Sequence, residues 1–136
     1  MIIIFLSFKS KKIEVVAFLD ELHKLLASDD FDVDTDLNLI RKNKQWDDQK
    51  FSTPYTLLDL DYDAEDVVNR LKELKVEEYS ETKIDTDDVN PPILFVFGKD
   101  INGNLIYVKL KIRDQQKQVV CVSFHYAKEK MEFPYA

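Results

Sequence analysis

From Leu94 to Tyr126 the chain reads LFVFGKDINGNLIYVKLKIRDQQKQVVCVSFHY, and the fold turns on this stretch. Two turn signals divide it into three strands, LFVFGK, LIYVKLKIR and VVCVSFHY. On the middle strand Ile106, Val108, Leu110 and Ile112 alternate with Tyr107, Lys109, Lys111 and Arg113. A pleated strand turns alternate side chains to opposite faces, so the aliphatic set points to a core and the basic row outward. A solvated sheet face needs polar groups but no particular sign of charge. A tyrosine followed by three cations in register is the pattern of a surface that meets an anion.

Burial fixes the pairing expected around that strand. Asn102-Gly103 is the favoured pair for a two-residue hairpin turn, which sets Gly98 opposite Tyr107 and Phe97 opposite Val108. A five-residue loop from Asp114 to Gln118 then sets Val108 opposite Phe124, Leu110 opposite Val122 and Ile112 opposite Val120. On the outer face the same register brings Tyr107 to His125, Lys109 to Ser123 and Lys111 to Cys121.

Working outward toward the N-terminus, Val15, Phe18, Leu19, Leu22 and Leu26 recur at three- and four-residue steps and predict an amphipathic helix over about residues 13–27. His23 lies on its polar side, where a solvated histidine is expected. FDVDTDLNLI (31–40) alternates as a half-buried strand, and RKNKQWDDQK reads as a polar connection whose Trp46 can stack on a base but more commonly, in such a place, anchors the loop onto the core. TPYTLLDL forms a short turn or helix. Asp63 caps a further helix, with Glu65 and Asp66 in its first turn and Ala64, Val67, Val68, Leu71 and Leu74 as its buried stripe. The next segment, through Pro91 and Pro92, carries Glu77, Glu78, Glu81, Asp85, Asp87 and Asp88 without calcium-loop spacing, and reads as an exposed acidic loop.

These elements define an α+β fold: an antiparallel sheet of about four strands, with a C-terminal three-strand meander, packed on two or three helices. At 136 residues with 45% hydrophobic content, residues 1–136 make one domain with a genuine core. Residues 1–12 are a first strand or an N-terminal extension, since the apolar run in MIIIFLSFKSKK has neither a preceding basic segment nor a cleavage site. No membrane association is expected. Cys121 is the only cysteine, which excludes an internal disulfide and fits a reducing, cytoplasmic location.

The net charge of −7 divides unevenly. Residues 1–88 hold 12 Lys and Arg against 22 Asp and Glu, and residues 89–136 hold 7 against 4. The cations therefore gather on the sheet. With only Gly98 and Gly103, no glycine-rich phosphate loop is available, so no nucleotide cofactor is expected. Two histidines are too few for a histidine-built metal site, and no metal or other cofactor is expected.

The cluster suits metal-free cleavage of RNA. That reaction needs a base for the ribose 2′-hydroxyl, an acid for the leaving oxygen and a cation for the phosphorane charge. His125 is the natural proton carrier, Lys109 neutralises phosphate, and Tyr107 donates a hydrogen bond or stacks. Lys99, Lys111 and Arg113 are the expected substrate contacts.

At EEYSET, FVFGKD, IYVKLKI, VCVSFHYA and the closing MEFPY, the chain resembles the MqsR-like toxins of bacterial toxin-antitoxin pairs, best over residues 56–135. The resemblance implies a RelE-type fold, an mRNA interferase that cuts without a metal, and a cognate antitoxin protein that holds it inactive. The family tyrosine of a VYLK strand matches Tyr107, and the family lysine ending the last strand matches His125. A further family lysine falls at Ser80, and a glutamine lacks a counterpart near Val96. Two alternatives stand beside this reading. One is a non-catalytic module binding RNA or an acidic protein; the other is an acidic immunity or antitoxin-like protein.

Overall fold

The computed structural model describes residues 6–113 and 117–136. Six strands form one sheet in the order β1-β3-β4-β5-β6-β2. They are β1 (Ser7–Phe8), β2 (Leu37–Leu39), β3 (Tyr79–Ile84), β4 (Ile93–Ile101), β5 (Asn104–Arg113) and β6 (Gln118–Tyr126). The helices are α1 (Lys12–Leu26), α2 (Val33–Asp36), α3 (Thr53–Leu60) and α4 (Ala64–Leu71). The fold is α+β, as expected. The sheet is larger than the expected four strands and it is mixed, because β2 runs parallel to β6.

One face of the sheet is the core. Val15, Phe18, Leu19, Leu22 and Leu26 of α1 and Val67, Val68 and Leu71 of α4 lie against Phe95, Phe97, Ile106, Val108, Leu110 and Phe124. Phe18 stacks on Phe95 with ring centroids 4.1 Å apart. Helix α4 begins where its residues dictate: the Asp63 carboxylate accepts from the Asp66 amide and the Asp66 carboxylate from the Asp63 amide, each at 2.9 Å.

The first hairpin has the pairing derived from Asn102-Gly103, with Gly98 opposite Tyr107 and Phe97 opposite Val108. In the second hairpin Tyr107 faces His125, Val108 faces Phe124 and Lys109 faces Ser123. Beyond that point a bulge corrects the expected register: Leu110 faces Cys121, Lys111 faces Val120 and Ile112 faces Val119. Cys121 is thereby turned into the core, where burial pushes its thiol up to about 12. Arg113 pairs with Gln118, so the strand begins one residue earlier than expected, and Asp114–Gln116 lie outside the described residues.

Four other expectations are corrected. The first half of 31–40 is the single-turn helix α2, because the Asp32 carboxylate accepts from the Asp34 amide and so caps a turn in place of a strand. The segment read as an acidic loop contains β3, whose Tyr79 is fully buried. His23 is half-buried, and its Nε2 has no hydrogen-bond partner among the described residues. Trp46 leaves the core altogether and is 84% exposed at the start of a 3-10 turn, Trp46–Phe51. Of the N-terminal segment, residues 1–5 lie outside the description, and Ser7 and Phe8 form the edge strand β1.

Candidate functional site

The sheet face away from the helices floors a groove of about 950 Å³. The loop from Ile40 to Gln45 walls one side, and the C-terminal tail from Lys128 to Glu132 another. Its lining holds seven lysines against five carboxylates. Lys109 rises from the floor, Lys9 and Lys83 from the β1–β3 side, Lys42 and Lys44 from the loop, and Lys128 and Lys130 from the tail. In a chain of net charge −7 this is a local reversal of sign.

Tyr107 and His125 meet on the floor. Their rings stack with centroids 5.1 Å apart and planes 11° apart. His125 Nδ1 lies 2.9 Å from the Tyr126 carbonyl oxygen. A carbonyl only accepts, so Nδ1 carries the proton and Nε2 presents a lone pair. Lys44 Nζ approaches that lone pair at 3.4 Å. Burial, with added repulsion from Lys44 and Lys109, lowers the His125 pKa although the Tyr126 carbonyl opposes the change. The imidazole is therefore held neutral.

The neighbouring groups are tuned by the same causes. Burial, then the Lys83 charge, lowers the Lys109 pKa. Burial also lowers that of Lys44, aided by Lys128 and resisted by Asp48. Burial pushes the Tyr107 phenol up to about 12, helped by Glu81, which keeps it un-ionised near neutrality. Two depressed ammonium groups thus sit beside a neutral imidazole.

The backbone holding His125 is fixed from the sheet's open side. Strand β2 pairs with β6 only as far as Cys121, leaving the later amides without a strand partner. Helix α3 substitutes for it: Thr53 Oγ1 accepts from the Phe124 amide and Thr56 Oγ1 from the Tyr126 amide, both at 3.0 Å. His125 is clamped between them.

The other expected contacts are placed elsewhere. Lys99 shares the helix-side face with Phe97 and Ile101, 3.3 Å from Glu78 and 3.7 Å from Glu73. It is on the wrong side of the sheet because odd-numbered residues of β4 face the core. Lys111 is on the groove side of β5 but only 2% exposed, with Nζ 2.7 Å from Asp85 and donating to the Asp88 and Pro91 carbonyls at 2.9 and 3.0 Å. Three donors meet three oxygens, leaving none for a substrate. Arg113 is held by Asp88 at 2.5 Å. Hydrogen bonds from Arg113 lead in holding the Asp88 carboxyl at about 2.

Lys9, Lys42, Lys44, Lys83, Lys128 and Lys130 are the groove lysines that sequence reasoning missed. A polar loop has no periodicity to aim its side chains, and Lys44 is 81 residues from His125. Lys128 is joined to Asp48 at 2.6 Å, linking tail to loop. No group of histidine, cysteine or carboxylate side chains that could hold a metal occurs among the described residues. No described helix is long and apolar enough to cross a membrane. No protein-family model, curated protein or solved structure matches the chain.

Proposed function

We propose that the chain is a metal-free endoribonuclease that cleaves RNA by attack of a ribose 2′-hydroxyl on the adjacent phosphate. The observation that carries this reading is the His125 imidazole, its proton fixed on Nδ1 and its Nε2 lone pair facing a lysine-lined groove. A phosphodiester entering the groove draws Lys44 from Nε2 onto a non-bridging oxygen. His125 Nε2 then takes the 2′-hydroxyl proton as the 2′-oxygen bonds to phosphorus. The bond from phosphorus to the 5′-oxygen breaks, Lys109 protonates that oxygen, and a 2′,3′-cyclic phosphate remains. Lysine charge stabilises the phosphorane, and Tyr107 holds the imidazole plane.

The resemblance to MqsR-like toxins supports a further part of the reading. The enzyme acts as the toxin of a toxin-antitoxin pair, in the cytoplasm on mRNA, and a cognate antitoxin protein restrains it. Cleavage of a defined RNA in the presence of EDTA by the wild type, and its loss in His125→Ala with unchanged folding and RNA binding, is the expected result. A His125→Ala protein that cuts at the wild-type rate sinks the assignment. Growth arrest on induction, relieved by a neighbouring small gene, tests the toxin role.

A second reading is favoured by one observation. His125 is only 8% exposed, beneath Lys44. If that lysine stays in place the groove binds RNA without cutting it, and retained RNA binding with no cyclic-phosphate product identifies that case.

A further inference from the structure

Trp46 is the chain's one tryptophan and the most exposed of the large apolar side chains among the described residues. Burying a large apolar side chain stabilises a fold, and this chain forgoes that gain here. No aromatic ring or cation stacks on the indole among the described residues, although other aromatic side chains, such as Phe51 and Tyr62, have a cation over the ring. Its position gives the exposure a use. Lys44 and Gln45 immediately before it and Asp48 just after it all line the groove. The 2.6 Å bond from Lys128 to Asp48 holds this turn at the groove's lip. Trp46 itself is not part of the groove's lining, so the exposed indole lies outside it, on the turn whose neighbouring residues Lys44, Gln45 and Asp48 do line it.

We propose that Trp46 is a stacking platform for one unpaired base of a single-stranded RNA whose phosphates lie on the groove's lysines. The proposal rests on the reading of the groove as an RNA site and adds to it a base subsite and a preference for unpaired strands. A paired base has both faces covered by its neighbours, whereas an unpaired one offers a face to an indole. Such stacking is sequence-tolerant and changes affinity by roughly 5- to 150-fold per base. Ile13, Leu58 and Val89 are also strongly exposed but have no π-face to offer a base.

Because Trp46 is the only tryptophan, fluorescence of the intact protein excited selectively at tryptophan, beyond tyrosine absorption, reads this site alone. The probes are a 2′-O-methyl oligoadenylate, which lacks the attacking hydroxyl and stays whole, and inorganic polyphosphate of equal charge. The oligoadenylate is expected to quench Trp46 saturably, while polyphosphate competes for the groove without quenching. Trp46→Leu is expected to weaken oligoadenylate binding about tenfold, leave polyphosphate affinity unchanged, and be partly rescued by Trp46→Phe. Binding of both probes without quenching, or equal oligoadenylate affinity in Trp46→Leu, overturns the base subsite and leaves the groove reading standing. Binding of neither probe overturns both. A blue shift that grows with protein concentration alone also overturns the subsite, since Trp46 is then a contact between copies of the chain.

Discussion

The imidazole of His125 lies over the ring of Tyr107 with planes 11° apart, and its Nδ1 proton is committed to the Tyr126 carbonyl. Both contacts fix the ring, and burial with two nearby ammonium groups disfavours its charged form. The folded pKa is therefore below the ordinary 6.5. Proton NMR titration is expected to show one histidine, identified by its loss in His125→Ala, titrating below that value and moving up in Lys109→Ala or Lys44→Ala. The unfolded chain takes up this proton first as pH falls. The contribution to stability is therefore full above 6.5 and declines through the interval down to the folded value. Cleavage, where His125 is the base, should reach half of its plateau below pH 6.5.

Lys111 and Asp85 form a buried pair 2.7 Å apart. Burial raises the Asp85 pKa, but the Lys111 hydrogen bond and those from the Asp88 and Asp87 amides outweigh it and leave the value lowered. Removing one partner strands the other, so Lys111→Met is expected to lower stability by about 3–5 kcal/mol in urea unfolding. Lys111→Met with Asp85→Asn should recover part of the loss. Because the Asp85 pKa is depressed, its contribution is present above the unfolded carboxylate value and lost as pH falls through the folded one. The double variant should therefore show a shallower acid-side decline than the wild type. Equal acid sensitivity would show that the pair is not the acid-labile element.

Thr53 and Thr56 stand in for a missing strand beside β6. Replacing either by valine keeps the volume and removes the acceptor, leaving a buried amide unpaired at about 1–3 kcal/mol. Thr56→Val frees the Tyr126 amide next to the carbonyl that orients His125. It should reduce cleavage as well as stability, whereas Thr53→Val should act more on stability. Circular dichroism melting with a cleavage assay on both variants separates the two effects.

How much of this was legible depends on where the pattern was redundant. Asn102-Gly103 admits one tight hairpin, so the pairing of Tyr107 with Gly98 followed from the sequence. In VVCV, residues 119–122, every side chain is apolar and alternation does not choose a face, so the bulge that sends Cys121 inward left no sign. The basic row misled for a related reason. Alternation places Lys111 on the outer face correctly, but the fold of Asp85–Pro91 over it is a long-range event. Asp32 was a signal available and passed over: a capping residue ahead of an apparent strand. Lys44, on a loop, could be found only in three dimensions.

Gly98 and Phe133 bind the tail to the sheet. A Cβ at Gly98 would come within 2.7 Å of the Phe133 ring and 3.1 Å of Leu105, so the glycine is what lets the ring lie on β4 opposite Tyr107. Farther along, Tyr135 stacks on Tyr79 at 5.7 Å and its hydroxyl donates to the Ser10 carbonyl. Between these anchors and β6 runs the segment that walls the groove with Lys128 and Lys130. In Gly98→Ala the Phe133 ring must move off β4. The freed segment should be cut faster by trypsin after Lys128 and Lys130, while cleavage sites in α1 stay protected. Tyr135→Ala should produce the same digestion pattern, because it releases the other anchor and leaves β4 untouched. Unchanged tail protection in both variants would mean that the wall is held by the Lys128–Asp48 bond instead, and Lys128→Ala should then expose it.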